Sequence, residues 1–404
     1  MRILHTSDWH LNEKLGQIKR QEDICSRLEE IAGYLEQQKV DVMLVSGDIF
    51  SNTIRMDEVR EAFKDVTRIF RPFLLRKGTI IGIGGNHDSE DLFNVVRLAM
   101  DLAVPQEGSV RAPKDPGRLY LYERSGYLTL NDPQAGQVQF CLLPYPTPNR
   151  YLKDEGIEFN TIEERNRLLH DKLRERLLRL QTDYVQVEYP TVLVSHLHVR
   201  GNRLHNLYHL SESRDVVFDL ADLPLSWAYS AFGHIHLPQD IRGSVNARYA
   251  GSIDRFDFAE ADDQKSVVVF DVGRGGLIGA PTILPLNATP LYKIEVHDPS
   301  EIASLPDRYP DGQRAIVDYQ VVYKPGDHNP DAMRDDIERM FPRWCRRSID
   351  TENDFAPEPD ETGRVTSPAE NVPERVREYL RRRLPDNSDR EELLTLAEEL
   401  LASI

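Results

Sequence analysis

The sequence predicts an α/β fold, and three observations lead there. Runs of strand character alternate with segments of helical period through residues 2–83. Strand-like runs return at TVLVS (191–195), WAYSAF (227–232) and SVVVFDV (266–272). Five of the runs end in Asp, Asn or His, and in open α/β sheets binding sites form at the carboxyl ends of strands.

In chain order, RILHTS (2–7) is β-rich. Ile24, Leu28, Ile31 and Leu35 step by four, three and four, which predicts a helix over 20–38. VDVMLVS (40–46) reads as a buried strand, Val59, Phe63, Val66 and Phe70 mark a second helix, and TIIGI (79–83) a third strand. This order predicts parallel neighbours. Residues 105–190 are less regular. Pro-rich and Gly-rich turns flank FCLLPYP (140–146), and a charged helix starts near 161, where Thr161 and Glu164 have capping-box spacing. Beyond 285, LYKIEV, AIVDYQVVY, a helix near 330–341 and RRSID predict a small α+β domain over 286–350. Residues 351–371 read as a linker rich in Pro and acid. The tail, 372–404, carries two amphipathic helices. Its last apolar stripe, with Leu393, Leu396 and Leu400, either folds back on its own domain or docks in a partner's groove.

The 404 residues exceed one ordinary core, and 40% apolar with 29% charged residues is a soluble globular profile. MRILHTSDWHLNEK has no apolar h-region, and no run reaches the ~18 apolar residues of a membrane span. Cys25, Cys141 and Cys345 lie far apart and outside C-x-x-C spacing, as expected of thiols in a reducing cytoplasm. No G-x-x-x-x-G-K-[ST] occurs, which excludes a Walker ATP site. Gly82-x-Gly84 is no dinucleotide loop, since the third glycine position falls on His87 and the first strand is already spent. A net charge of −17 opposes phosphate binding unless cations or local basic stretches offset it. The stretches are Arg200 with Arg203, which read rather as solvated loop arginines; Arg343, Arg346 and Arg347 around Trp344, a phosphate contact or equally an ordinary surface; and Arg375, Arg377 and Arg381–Arg383, which read as a solvated helix face.

The polar strand ends carry the chemistry. RILHTS leads to Asp8 and His10, VDVMLVS to Asp48, TIIGI to Asn86, His87 and Asp88, TVLVS to His196 and His198, and WAYSAF to His234 and His236. Asp8-x-His10 and His234-x-His236 are i, i+2 pairs, which face one way in extended chain. Gly47 and Gly233 let the backbone turn and approach an ion. Mixed oxygen and nitrogen donors suit Mn²⁺, Fe²⁺ or Zn²⁺ better than Ca²⁺, and they outnumber what one ion can use, so two metals are expected.

The strings TSDWH, SGD, GGNHD, SHLH and GHIH resemble the calcineurin-like metallophosphoesterases. ILHTSDWHLN, GDIF, GNHDS and RYAGSIDRFDFAEADDQKS resemble within them the SbcD-type nucleases, the meiotic-recombination-eleven family, over residues 1–285, more loosely over 286–350, and again at SPAENVPERVREYLRRR. The resemblance implies a four-layer α/β/β/α sandwich (1–285), a DNA-binding cap (286–350) and a tail (372–404) that binds an SMC-like ATPase of the SbcC type. It implies two Mn²⁺ or other divalent ions, one held by Asp8, His10, Asp48 and His236 and the other by Asp48, Asn86, His196 and His234. His87 would hand a proton to the leaving oxygen, and Asp88 would orient His87. His198 has no fixed counterpart there and is read as a candidate support for a ligand, and Ser51–Asn52 stands where some relatives carry a histidine. The implied protein is a cytoplasmic, nucleoid-associated DNA exonuclease or endonuclease, acting on duplex ends and single strands in double-strand-break repair. It would form a homodimer, with helix 57–74 as one candidate surface and burial of that helix's apolar face on the sheet as the equal alternative. Two other readings are a phosphoesterase for small nucleotides or phosphoproteins and a weakly catalytic scaffold that binds DNA ends.

Overall fold

The computed structural model describes residues 1–351 apart from 52–54, 104–109, 112–117, 154–155, 204–214, 220–221 and 224–226, together with Leu393. Asn52, most of the expected linker and the tail with Arg375, Arg377 and Arg381–Arg383 lie outside the described residues.

Strands β1 (Arg2–Thr6), β2 (Val42–Val45) and β3 (Thr79–Ile83) are parallel and joined through helices α1 (Gln21–Gln37) and α2 (Met56–Leu75). Helix α3 (Glu90–Ala103) follows, then β4 (Leu119–Tyr122), parallel to β3. The stretch read as irregular contains an antiparallel hairpin, β5 (Gly126–Asp132) and β6 (Gly136–Leu143). Helix α4 (Ile162–Asp183) starts at Thr161, whose side chain accepts the Glu164 N–H. Strands β7 (Thr191–His196), β8 (Tyr229–Gly233), β9 (Gln239–Ile241) and β10 (Ser244–Tyr249) complete a sheet ordered β9-β10-β8-β7-β6-β5, with Val110–Arg111 beyond β5. Strands β11 (Ser266–Gly273) and β12 (Gly276–Pro285) return antiparallel to the first sheet, giving β12-β11-β1-β2-β3-β4.

The layers follow from the period of two along each strand. Leu4, Met43, Val45 and Ile80 face one way, into a core with Ile31 of α1, Phe70 and Phe73 of α2, and Phe93 of α3. Ile3, Val42, Leu44 and Ile81 face the other way and meet Phe140, Leu142, Val192, Val194 and Tyr229 of the second sheet. Cys141, Leu143 and Leu193, on that sheet's far side, pack on Leu169, Leu173, Leu177 and Leu180 of α4. The result is a helix–sheet–sheet–helix sandwich. Strands buried on both faces read as unbroken apolar runs, which is why VDVMLVS and TVLVS are conspicuous in the sequence. No described helix is long and apolar enough to cross a membrane.

The segment after Pro285 has its own core around Ile294, Val317, Tyr319, Met333 and Phe341. Its strands β13 (Leu291–Val296), β14 (Ile316–Tyr323) and β15 (Trp344–Thr351) are parallel, with α5 (Pro330–Met340) between the last two. The unit is thus built of strand–helix–strand crossovers, not of segregated strands and helices.

Packing decides two surface readings. The apolar side of α2 (Ala62, Ile69, Phe70 and Phe73) lies in the helix–sheet core, the second of the two places expected for it, and is covered there. Arg343 is not free for phosphate. It grips both Asp23 carboxylate oxygens at 3.0 and 2.5 Å and donates to the Arg314 carbonyl. Asp23 also takes Arg20 Nε at 2.7 Å, and Arg20, wholly buried, reaches the Arg255 carbonyl and Asp254. Asp23 is therefore the joint between α1 and the small domain. Removing one member of a buried ionic group strands the others. Asp23→Ala should cost about 3 kcal/mol of stability, read as a fall in the urea unfolding midpoint; an unchanged midpoint would mean that this network holds nothing together.

Candidate metal centre

Strands β1, β2, β3, β7 and β8 all deliver their carboxyl ends to one edge, where the two sheets meet. The His196 ring at the end of β7 approaches Asp48 Oδ2, which follows β2, to 3.3 Å. His196 Nε2 and His234 Nδ1 each lie 3.0 Å from Asn86 Oδ1. His10 Nε2 is 3.1 Å from His236 Nε2 and 3.8 Å from Asp48 Oδ2. His236 Nε2 stands 3.9 Å from Asp8 Oδ1. Ligand atoms of Asp8, His10 and His236 all lie within 4.8 Å of one another, as do those of Asp8, Asp48 and His196. The residues singled out in the sequence as ligands thus meet in one place, and Asp48 touches both halves of the set.

The local backbone is specialised. Asp8, His10, Asp48 and His234 have φ of 50°, 47°, 50° and 97°, a left-handed region that residues with side chains seldom occupy. Such conformations persist where the surroundings over-determine them, commonly at functional sites. The i, i+2 pairs therefore do not meet because of extended geometry, as expected from spacing. They meet because the chain turns sharply after each strand. The glycines clear space: a Cβ on Gly47 would lie 2.2 Å from His196 Nδ1, and one on Gly85 would lie 2.0 Å from Asp48 Oδ1.

Asp8, His10, Asp48, His196 and His236 are buried, His87 and His234 are half-buried, and Asn86 is exposed. The centre therefore opens to solvent beside Asn86, His87 and His234. Burial alone would raise the Asp48 carboxyl, but His196, with His10 and His87, holds it well below the usual carboxylate range. Burial would lower His196, yet Asp48 and Asp8 push it up to about 9. The geometry explains this. His196 Nδ1 must donate to the Ser46 carbonyl, 2.7 Å away, so a neutral ring turns a bare Nε2 on the Asp48 carboxylate. Acceptor faces acceptor unless a positive charge lies between them. The donor set and its spacing fit divalent cations, with Asp8, His10, Asp48 and His236 on one side and Asp48, Asn86, His196 and His234 on the other.

His87 stands at the mouth. Its N–H donates to Asp48 Oδ1 at 2.9 Å, and its ring lies edge-on to His10 with centroids 4.8 Å apart. Burial lowers its pKa, so at neutral pH the ring is uncharged and offers a hydrogen bond. The expected Asp88–His87 contact is replaced by another. Asp88 accepts the backbone N–H groups of Gly85, Ile49 and Phe50 at 2.8, 3.2 and 2.9 Å, bracing the loop after β3 against the loop after β2. Burial and Asp48 push its carboxyl up to about 6.

Three participants escaped sequence reasoning. Asp215 joins His198, His234 and Tyr145; Glu260 holds His236; Lys265, wholly buried, joins Glu260, Asp263 and the His236 carbonyl. Glu260 and Lys265 were visible only within the string FDFAEADDQKS, and Asp215 followed no strand-end pattern. Of the basic candidates, Arg200 pairs with Asp219, and Arg347 pairs with Glu338 and stacks on Trp344. Arg346, whose side chain is 71% exposed, makes only a 4.0 Å approach to Asp318.

Residues 1–238 match the family of calcineurin-like phosphoesterases. The SbcD polypeptide of the nuclease SbcCD from Bacillus subtilis (strain 168) is 28% identical over 333 residues, which cover 80% of this chain and 79% of that protein. The polypeptide of the same name from Staphylococcus epidermidis is 26% identical over 301 residues, covering 73% and 72%. A dimetal phosphatase structure from Danio rerio aligns with 71% of this chain and 99% of its own at 11% identity and a TM-score of 0.38, a likeness too low to add to the assignment. The family match spans more than half of the sequence and includes every candidate ligand from Asp8 to His236, and the chain accordingly belongs to the calcineurin-like phosphoesterases.

Proposed function

We propose that this phosphoesterase is a Mn²⁺-dependent DNA exonuclease and endonuclease that works in the cytoplasm on DNA ends in double-strand-break repair, with an SMC-like ATPase as its motor. The observation that carries the hydrolytic reading is the convergence of Asp8, His10, Asp48, Asn86, His196, His234 and His236 from two sheets on one partly open centre. The nuclease reading is supported by the curated relatives, both named as nuclease subunits. The ATPase would engage the tail beyond 371. A homodimer would use Val95 and Leu98 of α3, which are 63% and 54% exposed, rather than the covered face of α2.

Divalent cations bound here would supply Lewis-acid charge and make water acidic enough to attack phosphorus near neutral pH. The protein's share is geometric. Asp48 aligns the two halves of the ligand set, and the brace from Asp88 fixes the loop that carries Asn86 and His87. His87, at the mouth, hydrogen-bonds through its neutral ring N–H to the leaving oxygen, whose proton then comes from solvent and not, as expected from the resemblance, from His87 itself. With a net charge of −17 and with Arg343 and Arg347 already paired, DNA is held weakly by the isolated chain and with steep salt dependence.

The deciding assay offers linear duplex DNA, single-stranded DNA and bis-p-nitrophenyl phosphate to the chelator-stripped chain, with and without Mn²⁺ and an SMC-type partner. Cleavage of both DNAs that depends on Mn²⁺ is expected; hydrolysis of the small ester alone would replace the nuclease with a small-molecule phosphodiesterase. His87→Ala should lower kcat by about 100-fold or more with Mn²⁺ stoichiometry unchanged. Equal loss of metal would make His87 a ligand instead.

A further inference from the structure

The two histidines of the Gly233–His236 turn meet the centre through different ring nitrogens. His234 directs Nδ1 toward Asn86, and its Nε2 lies 2.7 Å from Asp215 Oδ2. His236 directs Nε2 toward His10 and Asp8, and its Nδ1 lies 2.8 Å from Glu260 Oε1. Each outer nitrogen thus faces a carboxylate oxygen, and an ionised carboxylate can only accept. Each outer nitrogen must therefore carry a proton, and in the neutral ring, the form that binds a cation, the inner one presents a lone pair.

The two carboxylates are themselves anchored. Asp215 Oδ2 also takes His198 Nδ1 at 3.1 Å, while its Oδ1 takes the Tyr145 hydroxyl at 2.6 Å. Glu260 Oε2 takes Lys265 Nζ at 2.7 Å, and that ammonium is tied in turn to Asp263 and the His236 carbonyl. We propose that Asp215 and Glu260 are paired positioning residues, one for each cation: Asp215 sets His234 to donate through Nδ1, and Glu260 sets His236 to donate through Nε2. His198 then acts as a strut for Asp215, which makes specific the supporting place expected for it. This deepens the two-cation reading above and rests on it for the assignment of one carboxylate to each ion. The tautomers themselves are a property of the metal-free chain. Partners of this kind hold ligand rings in register and typically govern affinity by about 10–100-fold.

The test uses the full chain labelled with ¹⁵N-histidine and stripped of metal. Long-range ¹H–¹⁵N spectra should show His234 as the Nε2–H tautomer and His236 as the Nδ1–H tautomer. Asp215→Asn should abolish the first preference alone and Glu260→Gln the second alone. In calorimetric titration with Mn²⁺, the wild type should bind two ions. Asp215→Asn should weaken one by about 10–100-fold, Glu260→Gln the other, each leaving its neighbour within about threefold. Unchanged tautomers and affinities in both variants, or weakening of the same ion by both, would overturn the proposal. Should Glu260→Gln fail to fold because Lys265 is stranded, Glu260→Gln with Lys265→Met removes both charges and makes the same prediction. A wild type that binds no Mn²⁺ would overturn the phosphoesterase centre, and with it the assignment to ions, while the spectra still decide whether the carboxylates set the tautomers.

Discussion

Two buried carboxylates, Asp8 at 0% and Asp48 at 2% exposure, set the terms for everything around them. Unpaired anions in a dry interior are too costly to keep, so positive charge must be brought to them. No lysine or arginine ion pair to either is seen among the described residues; imidazoles surround them instead. Imidazole can answer the charge by taking a proton or by sharing a cation. The upward push on His196 and the downward pull on Asp48 express that demand in the protein alone. A set of groups that draws positive charge this strongly, with acceptor turned on acceptor in the neutral rings, suits divalent cations well.

The same demand explains the strained local backbone. Four residues at the centre sit in left-handed conformations, and two glycines leave room where a methyl group would collide. The stacked sheets sustain that strain. Their dry interface of Ile3, Leu44, Phe140 and Val194 holds the carboxyl ends of five strands in fixed relation. The Asp88 brace adds a local tie between two of the loops. Rigidity here has a chemical purpose, since reacting groups misplaced by an ångström lose much of their advantage.

The chain around this centre is acidic in sum, with a net charge of −17, and Arg343 and Arg347 of the small domain are engaged by Asp23 and Glu338. Asp23 draws Arg20 and Arg343 together and so fixes the small domain against the larger one. On the proposed nuclease reading, a polyanionic substrate would be held by cations at the centre and by partner surfaces more than by these arginines.

The α/β class, the parallel order of the first strands and the polar residues that gather at the strand ends were legible in the sequence, because strands buried on both faces read as apolar runs and metal donors are restricted to a few residue types. The resemblance of GNHD and GHIH to a known family sharpened that reading. Legibility ended where a residue's role depends on what lies across space. Asp88 looked like a partner for His87 because it is adjacent in sequence, yet its oxygens are taken by the backbone of another loop. Arg343 looked like a phosphate contact, yet its partner is 320 positions away. Asp215 and Glu260 had no local signature, since a carboxylate that holds an imidazole needs only a distance and a direction. Sequence by itself determined which atoms were available for binding cations; the tertiary structure alone decided which nitrogen of each ring faces inward, because that choice is made by hydrogen-bond partners from distant segments.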